Sequence, residues 1–161
     1  MNIWAEKVES QLISLGSFLK NSDWYGRENE LVNLFVHSFL SASIKIAQIG
    51  IEVAVKQLPR VGGKALVRKD LVVWNSPNET VWANGEPAND PAVIVEFKVN
   101  AADRCARDLD WLGCYTKVYP RVVGFAVCGY IKHNRCVTYS RVEKGEIAAQ
   151  QIAPADTGLV A

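Results

Sequence analysis

Several things are scarce in this chain, and each scarcity excludes a class of protein. Its 161 residues include one Met, two His and four Cys. Cys105, Cys114, Cys128 and Cys136 form no C-x-x-C pair and have no H-x-x-x-H nearby. Neither a zinc site nor a disulfide framework is expected, and the four thiols read as reduced packing residues. His37 and His133 lack any partner pattern for a ligand or a base, and read as structural or surface residues. No segment approaches the roughly 18 consecutive apolar residues of a membrane span. The opening MNIWAEKVES places Glu6 and Glu9 where a secretory signal would carry basic and then apolar residues. The expectation is a cytoplasmic protein with no membrane partner. Internal repeats and low-complexity tracts are also missing.

Net charge is scarce as well, at +1, which argues neither for nor against a nucleic-acid partner. Its distribution says more. Residues 1–55 carry four Lys/Arg against six Asp/Glu, whereas residues 56–141 carry thirteen against eight. The second set includes the acid-free run Lys56, Arg60, Lys64, Arg68 and Lys69. That run is either a solvated strand edge or one mildly basic face suited to phosphates.

What is present fits one globular domain over 1–161. Apolar residues make up 49% and charged residues 22%, close to globular averages, and the length suffices to bury a core. Residues 2–20 place Ile3 or Trp4, Val8, Leu12, Leu15 and Leu19 at helical spacing. NSD at 21–23 breaks that helix, and a second is expected from about Tyr25 to Ala47. At 100° per residue, Leu31, Val32, Phe35, Phe39 and Ile46 lie within about 60° of Glu28. Glu28 is therefore expected on the buried stripe, with Glu30 and His37 on the opposite face.

From Gln48 the period becomes strand-like in IGIEVAVKQL and KALVRKDLVVW. Asn75 to Pro91 reads as a long loop, and the strand AVIVEFKV follows. Residues 101–118 suit a helix with Leu109, Leu112 and Tyr115 or Thr116 inward. Two more strands are expected at 121–130 and 135–142, then a frayed tail over 150–161. A strand–helix–strand crossover requires a parallel pair. The expected fold is thus α/β (α+β), a mixed sheet of about five strands flanked by helices, with its core over about 25–142.

Four ionisable residues sit where the pattern buries them. Asp70 interrupts VRKDLVVW, Glu96 and Lys98 share one face of AVIVEFKV, and Glu28 points from a helical apolar stripe. Carboxylates gathered at one sheet edge repel and raise each other's pKa unless a cation sits among them. A hard divalent ion such as Mg²⁺ resolves that conflict, and it activates water and neutralises charge developing on a phosphoryl group. Lys98 beside it would orient the attacking water or stabilise the pentavalent phosphorus. Plainer readings exist. Glu96 and Lys98 could be an exposed cross-strand pair, Asp70 could balance Arg68 or Lys69, and Glu28 could complement a helix dipole. Arg104, Arg107 and Asp108 read as surface helix residues or as phosphate contacts.

KD at 69–70, EFK at 96–98 and the apolar run before it resemble the PD-(D/E)xK nuclease superfamily, with its restriction-endonuclease-like fold. GRENELVNLF is similar to the opening of archaeal Holliday-junction resolvases, and RDLDWL at 107–112 to their following helix. The similarity covers roughly residues 25–130. It departs in having Lys69 in place of a proline and a long gap between Asp70 and Glu96, which leaves the substrate class open. The resemblance implies a Mg²⁺- or Mn²⁺-dependent endonuclease acting on nucleic acid, DNA before RNA. Asp70, Glu96, the Phe97 carbonyl and Glu28 would hold metal, and Lys98 would complete the catalytic set. Arg68, Lys69, Arg104 and Arg107 are the candidate substrate contacts. A homodimer, joined through an exposed apolar face of the 2–20 helix, is compatible with cutting both strands. The same fold without catalysis would instead serve as a nucleic-acid-binding or protein-interaction module.

Overall fold

The structure is a computed structural model that describes residues 2–59 and 63–154. Helix α1 spans Ile3–Lys20. Its N-cap Asn2 accepts from the amides of Trp4 and Ala5 at 3.1 Å each, satisfying two donors that the helix start leaves open. Helix α2 spans Glu28–Ser38, shorter than the stretch to Ala47 expected from its pattern. Ser41 and Ser43 turn their hydroxyls back onto the carbonyls of His37 and Leu40, and the chain tightens into 3-10 turns.

Strands β1 (Ile49–Lys56) and β2 (Leu66–Val73) follow. The expected loop after them contains a small separate hairpin, β3 (Trp82–Ala83) and β4 (Glu86–Pro87). Asn84 and Gly85 connect it, both at positive φ, the pairing that two-residue hairpin turns favour. Then come β5 (Val93–Val99), helix α3 (Ala102–Val118), β6 (Val123–Tyr130), β7 (Cys136–Glu143) and β8 (Glu146–Ala153).

The main sheet has six strands in the order β1-β2-β5-β6-β7-β8. Only β5 and β6 run parallel, joined through α3. Mixed α/β architecture is therefore as expected, but the count of five strands is corrected to six. Residues 150–153 are paired strand rather than frayed tail, and 155–161 lie outside the described residues. The sixth strand follows Lys144 and Gly145, both at positive φ, which close a tight hairpin with β7.

Two cores flank the sheet. Val93, Val95 and Phe97 of β5 face one side, packed with Leu12 and Leu15 of α1 and Leu31 and Phe35 of α2. Ile94 faces the other, with Val72, Leu112 and Tyr115 under α3. Burying the Leu12 or Phe35 side chain contributes roughly 1.5–3 kcal/mol. The apolar stripe of α1 is covered by this packing, leaving Ile3 and Ile13 exposed on that helix. No helix among the described residues is long and apolar enough to cross a membrane.

Candidate active site

Strands β2 and β5 pair from Val73/Val93 to Leu71/Val95 and then part. One step further the ladder would have joined Asp70 to Glu96. Instead the side chains take over the backbone donors. The Phe97 amide donates to Asp70 Oδ2 at 2.8 Å, and the Asp70 amide to Glu96 Oε2 at 3.3 Å. A buried amide left open costs free energy. The parting is tolerated because these two carboxylates close it, and both are thereby held in fixed orientation.

Period-two alternation turns Glu96 and Lys98 toward α3, opposite Phe97. Lys98 Nζ lies 3.1 Å from Glu28 Oε1, 3.6 Å from Asp70 Oδ2 and 3.2 Å from Asp108 Oδ2. It also donates to the Phe97 carbonyl at 2.6 Å. Glu28 reaches it from the first residue of α2. Glu30 faces away and closes a capping box, accepting from the Arg27 amide at 2.6 Å. The structure thus brings Glu28, Asp70 and the Phe97 carbonyl around the Lys98 ammonium.

Glu96 belongs to the same cluster through a different partner. It is 5% exposed and binds Lys69 rather than Lys98. Lys69 Nζ in turn lies 3.4 Å from the ring centroid of Trp111, a cation–π contact sheltered from water. Lys69, anticipated as a phosphate contact, is an interior residue of the site. Arg68 points outward, 3.7 Å from Glu52, so the basic run divides between two directions. Lys56 lies 3.6 Å from Asp90, and Arg60 is outside the described residues. Arg104 and Arg107 are exposed on the first turns of α3.

Asp108, read from the sequence as a surface helix residue or a phosphate contact, stands instead beside Lys98 in the cluster. Its signal was present, because Asp108, Leu112 and Tyr115 recur at the helical spacing of one buried stripe. Asp108 Oδ2 is buried with no hydrogen-bond partner, although Lys98 stands at ion-pair distance.

Electrostatics follow from this geometry. Burial pushes Glu96 up to about 7, against the pull of Lys69 and with a further push from Asp70. Burial pulls Lys98 downward, but Asp70, Glu28 and Asp108 outweigh it and hold the ammonium above its ordinary value. In this arrangement the ammonium form of Lys98 is the one its neighbours favour.

No protein-family model, no curated protein and no solved structure matches the chain. What the site can do is therefore read from its own chemistry. Four carboxylates, Glu28, Asp70, Glu96 and Asp108, surround two ammonium groups, Lys69 and Lys98. When all are ionised the cluster carries an excess of two negative charges. Its donors are carboxylate and carbonyl oxygens, the set that Mg²⁺ and Mn²⁺ prefer. Asp108 Oδ2, buried and without a hydrogen bond, already has the Lys98 ammonium as its neighbouring cation. Among the described residues no group of three or more His, Cys, Asp or Glu is arranged to hold a metal ion, and Lys98 Nζ stands at their focus. The donor set fits a hard divalent ion in kind and in charge. Binding one would require Lys98 to swing aside.

Proposed function

We propose that this chain is a divalent-metal-dependent nuclease of the PD-(D/E)xK kind, hydrolysing phosphodiester bonds, with DNA favoured over RNA. One observation carries the reading. Two strands part so that Asp70 and Glu96 cross-brace the gap, while Glu28 and Asp108 close on Lys98 from helices on either side. A solvated surface pair would not divert two strands from pairing. Support also comes from the topology, in which a helix precedes three antiparallel strands and a crossover helix leads to a parallel fourth. Such an order is compatible with the restriction-endonuclease-like fold that the resemblance implies, and β7 and β8 extend the sheet at one edge.

In this reading Asp70, Glu96, Glu28 and the Phe97 carbonyl hold the metal, joined by Asp108. A bound divalent ion would supply an acidified water and an electrophile for the phosphoryl oxygen. The chain's own residues do the rest. Lys98, as an ammonium, donates to the nucleophile or to the charge that develops on phosphorus. Asp70, fixed by the Phe97 amide, keeps its orientation through the reaction. Lys69 and Trp111 shelter Glu96 from water on its inner side.

The test is cleavage of plasmid, linear, single-stranded and branched DNA, and of RNA, in Mg²⁺ or Mn²⁺. Asp70→Asn, Glu96→Ala and Lys98→Ala should each lose at least about 10²-fold in rate. Undiminished cleavage by these variants would overturn the assignment. The position of Lys98 as resident counter-ion favours a second reading, an inactive nucleic-acid-binding or protein-interaction module in which the ammonium takes the place of a metal. Calorimetry separates the two, since that reading requires no Mg²⁺ or Mn²⁺ binding that depends on Asp70.

A further inference from the structure

Two thiols whose spacing reads as mere packing meet where α3 lies on the sheet. Cys105 of α3 and Cys128 of β6 line one cavity of about 470 Å³, together with Leu109, Tyr130 and Thr138. Cys105 is half-buried, and its Sγ donates to the Val127 carbonyl at 3.6 Å, which sets it against β6 one residue from Cys128. The two sulfurs are themselves hydrogen-bond neighbours, and neither is in a disulfide.

The surroundings of Cys128 are not those of an inert buried thiol. Helix α3 begins without a side-chain cap, and the Cys128 sulfur accepts from the Ala101 amide at that helix start. The Tyr130 hydroxyl donates to the same sulfur, and Lys98 is its partner across the β5–β6 ladder. Helix-start amides and nearby cations favour the thiolate, the form of cysteine that reacts. With the Cys105 thiol as the largest influence, these groups hold Cys128 below the ordinary thiol value against the opposing effect of burial. The same shared bond, with burial, raises Cys105. One sulfur is thus favoured as a nucleophile, and the other stands beside it with its proton retained.

We infer that Cys105 and Cys128 form a reversible oxidation site, which closes to an intrachain disulfide when the chain meets hydrogen peroxide. The Cys128 sulfur attacks one peroxide oxygen and becomes a sulfenic acid. The O–O bond breaks, and the departing hydroxide takes up the Cys128 proton as water. The Cys105 sulfur then attacks the sulfenic sulfur, the S–O bond breaks, and that oxygen leaves with the Cys105 proton as a second water. Two thiols lose two electrons and two protons, and the peroxide is reduced to two waters. The link ties α3 to β6 beside the carboxylate cluster, since Asp108 lies one helical turn beyond Cys105 and Cys128 is opposite Lys98.

The test treats the reduced full chain with equimolar hydrogen peroxide, alkylates the thiols that remain, and maps the peptides by mass spectrometry without reduction. The expected product is a Cys105–Cys128 cross-link, two hydrogens lighter than its parent peptides, that dithiothreitol reverses. Cys114 serves as the internal control, because it is exposed and would react first if access alone decided. It should still be alkylated once the cross-link has formed. Cys105→Ser should abolish the cross-link and leave Cys128 carrying added oxygen, while Cys114→Ser should leave the cross-link unchanged. Circular dichroism checks that both variants fold, and the wild-type map decides the matter without them. Oxidation that consumes Cys114 while Cys105 and Cys128 remain open to alkylation overturns the inference, as does a cross-link that forms only in urea.

Discussion

Among the described residues two places surround one cation with three carboxylates, and they differ in their consequences. Arg141 on β7 meets Glu6 and Glu9 of α1 at 2.9 Å each and Glu143 at 2.6 Å. Lys98 on β5 meets Glu28, Asp108 and Asp70 at 3.1, 3.2 and 3.6 Å. Both cationic side chains are 13% exposed. A guanidinium has five donors in a planar fork, and each Glu around Arg141 accepts at least one of them, with Tyr139 adding a bond to Glu9. An ammonium has three donors. Lys98 uses one on Glu28 and one on the Phe97 carbonyl, which leaves Asp70 and Asp108 attracted but not hydrogen-bonded by it. Equal charge count thus yields a saturated staple of α1 to the sheet in one place. In the other, two of the three carboxylates receive no hydrogen bond from the cation, and in the nuclease reading this is the cluster that would take a ligand.

The largest expected effect separates the two by activity. Asp70→Asn or Lys98→Ala should abolish metal-dependent cleavage by about 10²- to 10³-fold, while Arg141→Ala should leave the rate of the folded fraction within a few-fold. Comparable rate losses at both sites would erase the distinction. Stability should run the other way. Arg141→Ala strands three carboxylates between α1 and β7, and urea unfolding should show a loss of about 2–4 kcal/mol. Arg141→Lys should recover only part of it, because three donors cannot serve three carboxylates and keep fork geometry.

The pH dependence sharpens the contrast. In the folded chain Glu96 keeps its proton up to about 7, against an ordinary 4.5. Between those values the folded state holds more protons than the unfolded, so this group's contribution to stability falls as pH rises. The total loss is at most about 3 kcal/mol, and Glu96→Gln should flatten it in unfolding experiments run from pH 4.5 to 7.5. Metal binding needs the ionised carboxylate, so Mg²⁺ or Mn²⁺ affinity should climb across the same window. Stability of the metal-free chain that rises with pH there would refute the burial of Glu96 as an acid. Arg141 is held above its already high value and stays charged throughout.

Much of this was legible in the sequence, for reasons that also explain what was not. The alternation in AVIVEFKV separates Phe97 from Glu96 and Lys98, and the helical spacing from Glu28 to Phe35 favours Glu28, with Glu30 left as the alternative that a misphased helix would select. Both are local periodicities. The end of α2 at Ser38 depends on serine hydroxyls competing for helix carbonyls, which a tally of apolar positions overlooks. Strand β8 was missed because EIAAQQIA lacks the β-branched, alternating character of a strand, and its hairpin rests on positive φ at Lys144 as well as Gly145. Pairing of Glu96 with Lys69 rather than Lys98 could not be read at all. It depends on where β2 and β5 part, and on Trp111 arriving from a helix to cover Lys69.

Asp108 offers the smallest effect and the finest discrimination. Its charge attracts Lys98 but repels Glu96, whose proton it helps to retain. Replacing it with the isosteric Asn removes both terms at once. Chemical unfolding of Asp108→Asn should therefore shift by less than about 1 kcal/mol in either direction. Metal affinity has no such cancellation, since the Asp108 oxygen that lacks a hydrogen bond is available to a cation or its water shell. Calorimetry with Mn²⁺ should show affinity reduced about 10- to 100-fold, and the pH at which binding sets in should move lower as Glu96 loses a repelling neighbour. Glu6→Gln beside Arg141 should leave Mn²⁺ affinity untouched. A loss of several kcal/mol on Asp108→Asn would class Asp108 with the staples, and unchanged Mn²⁺ affinity would remove it from the donor set.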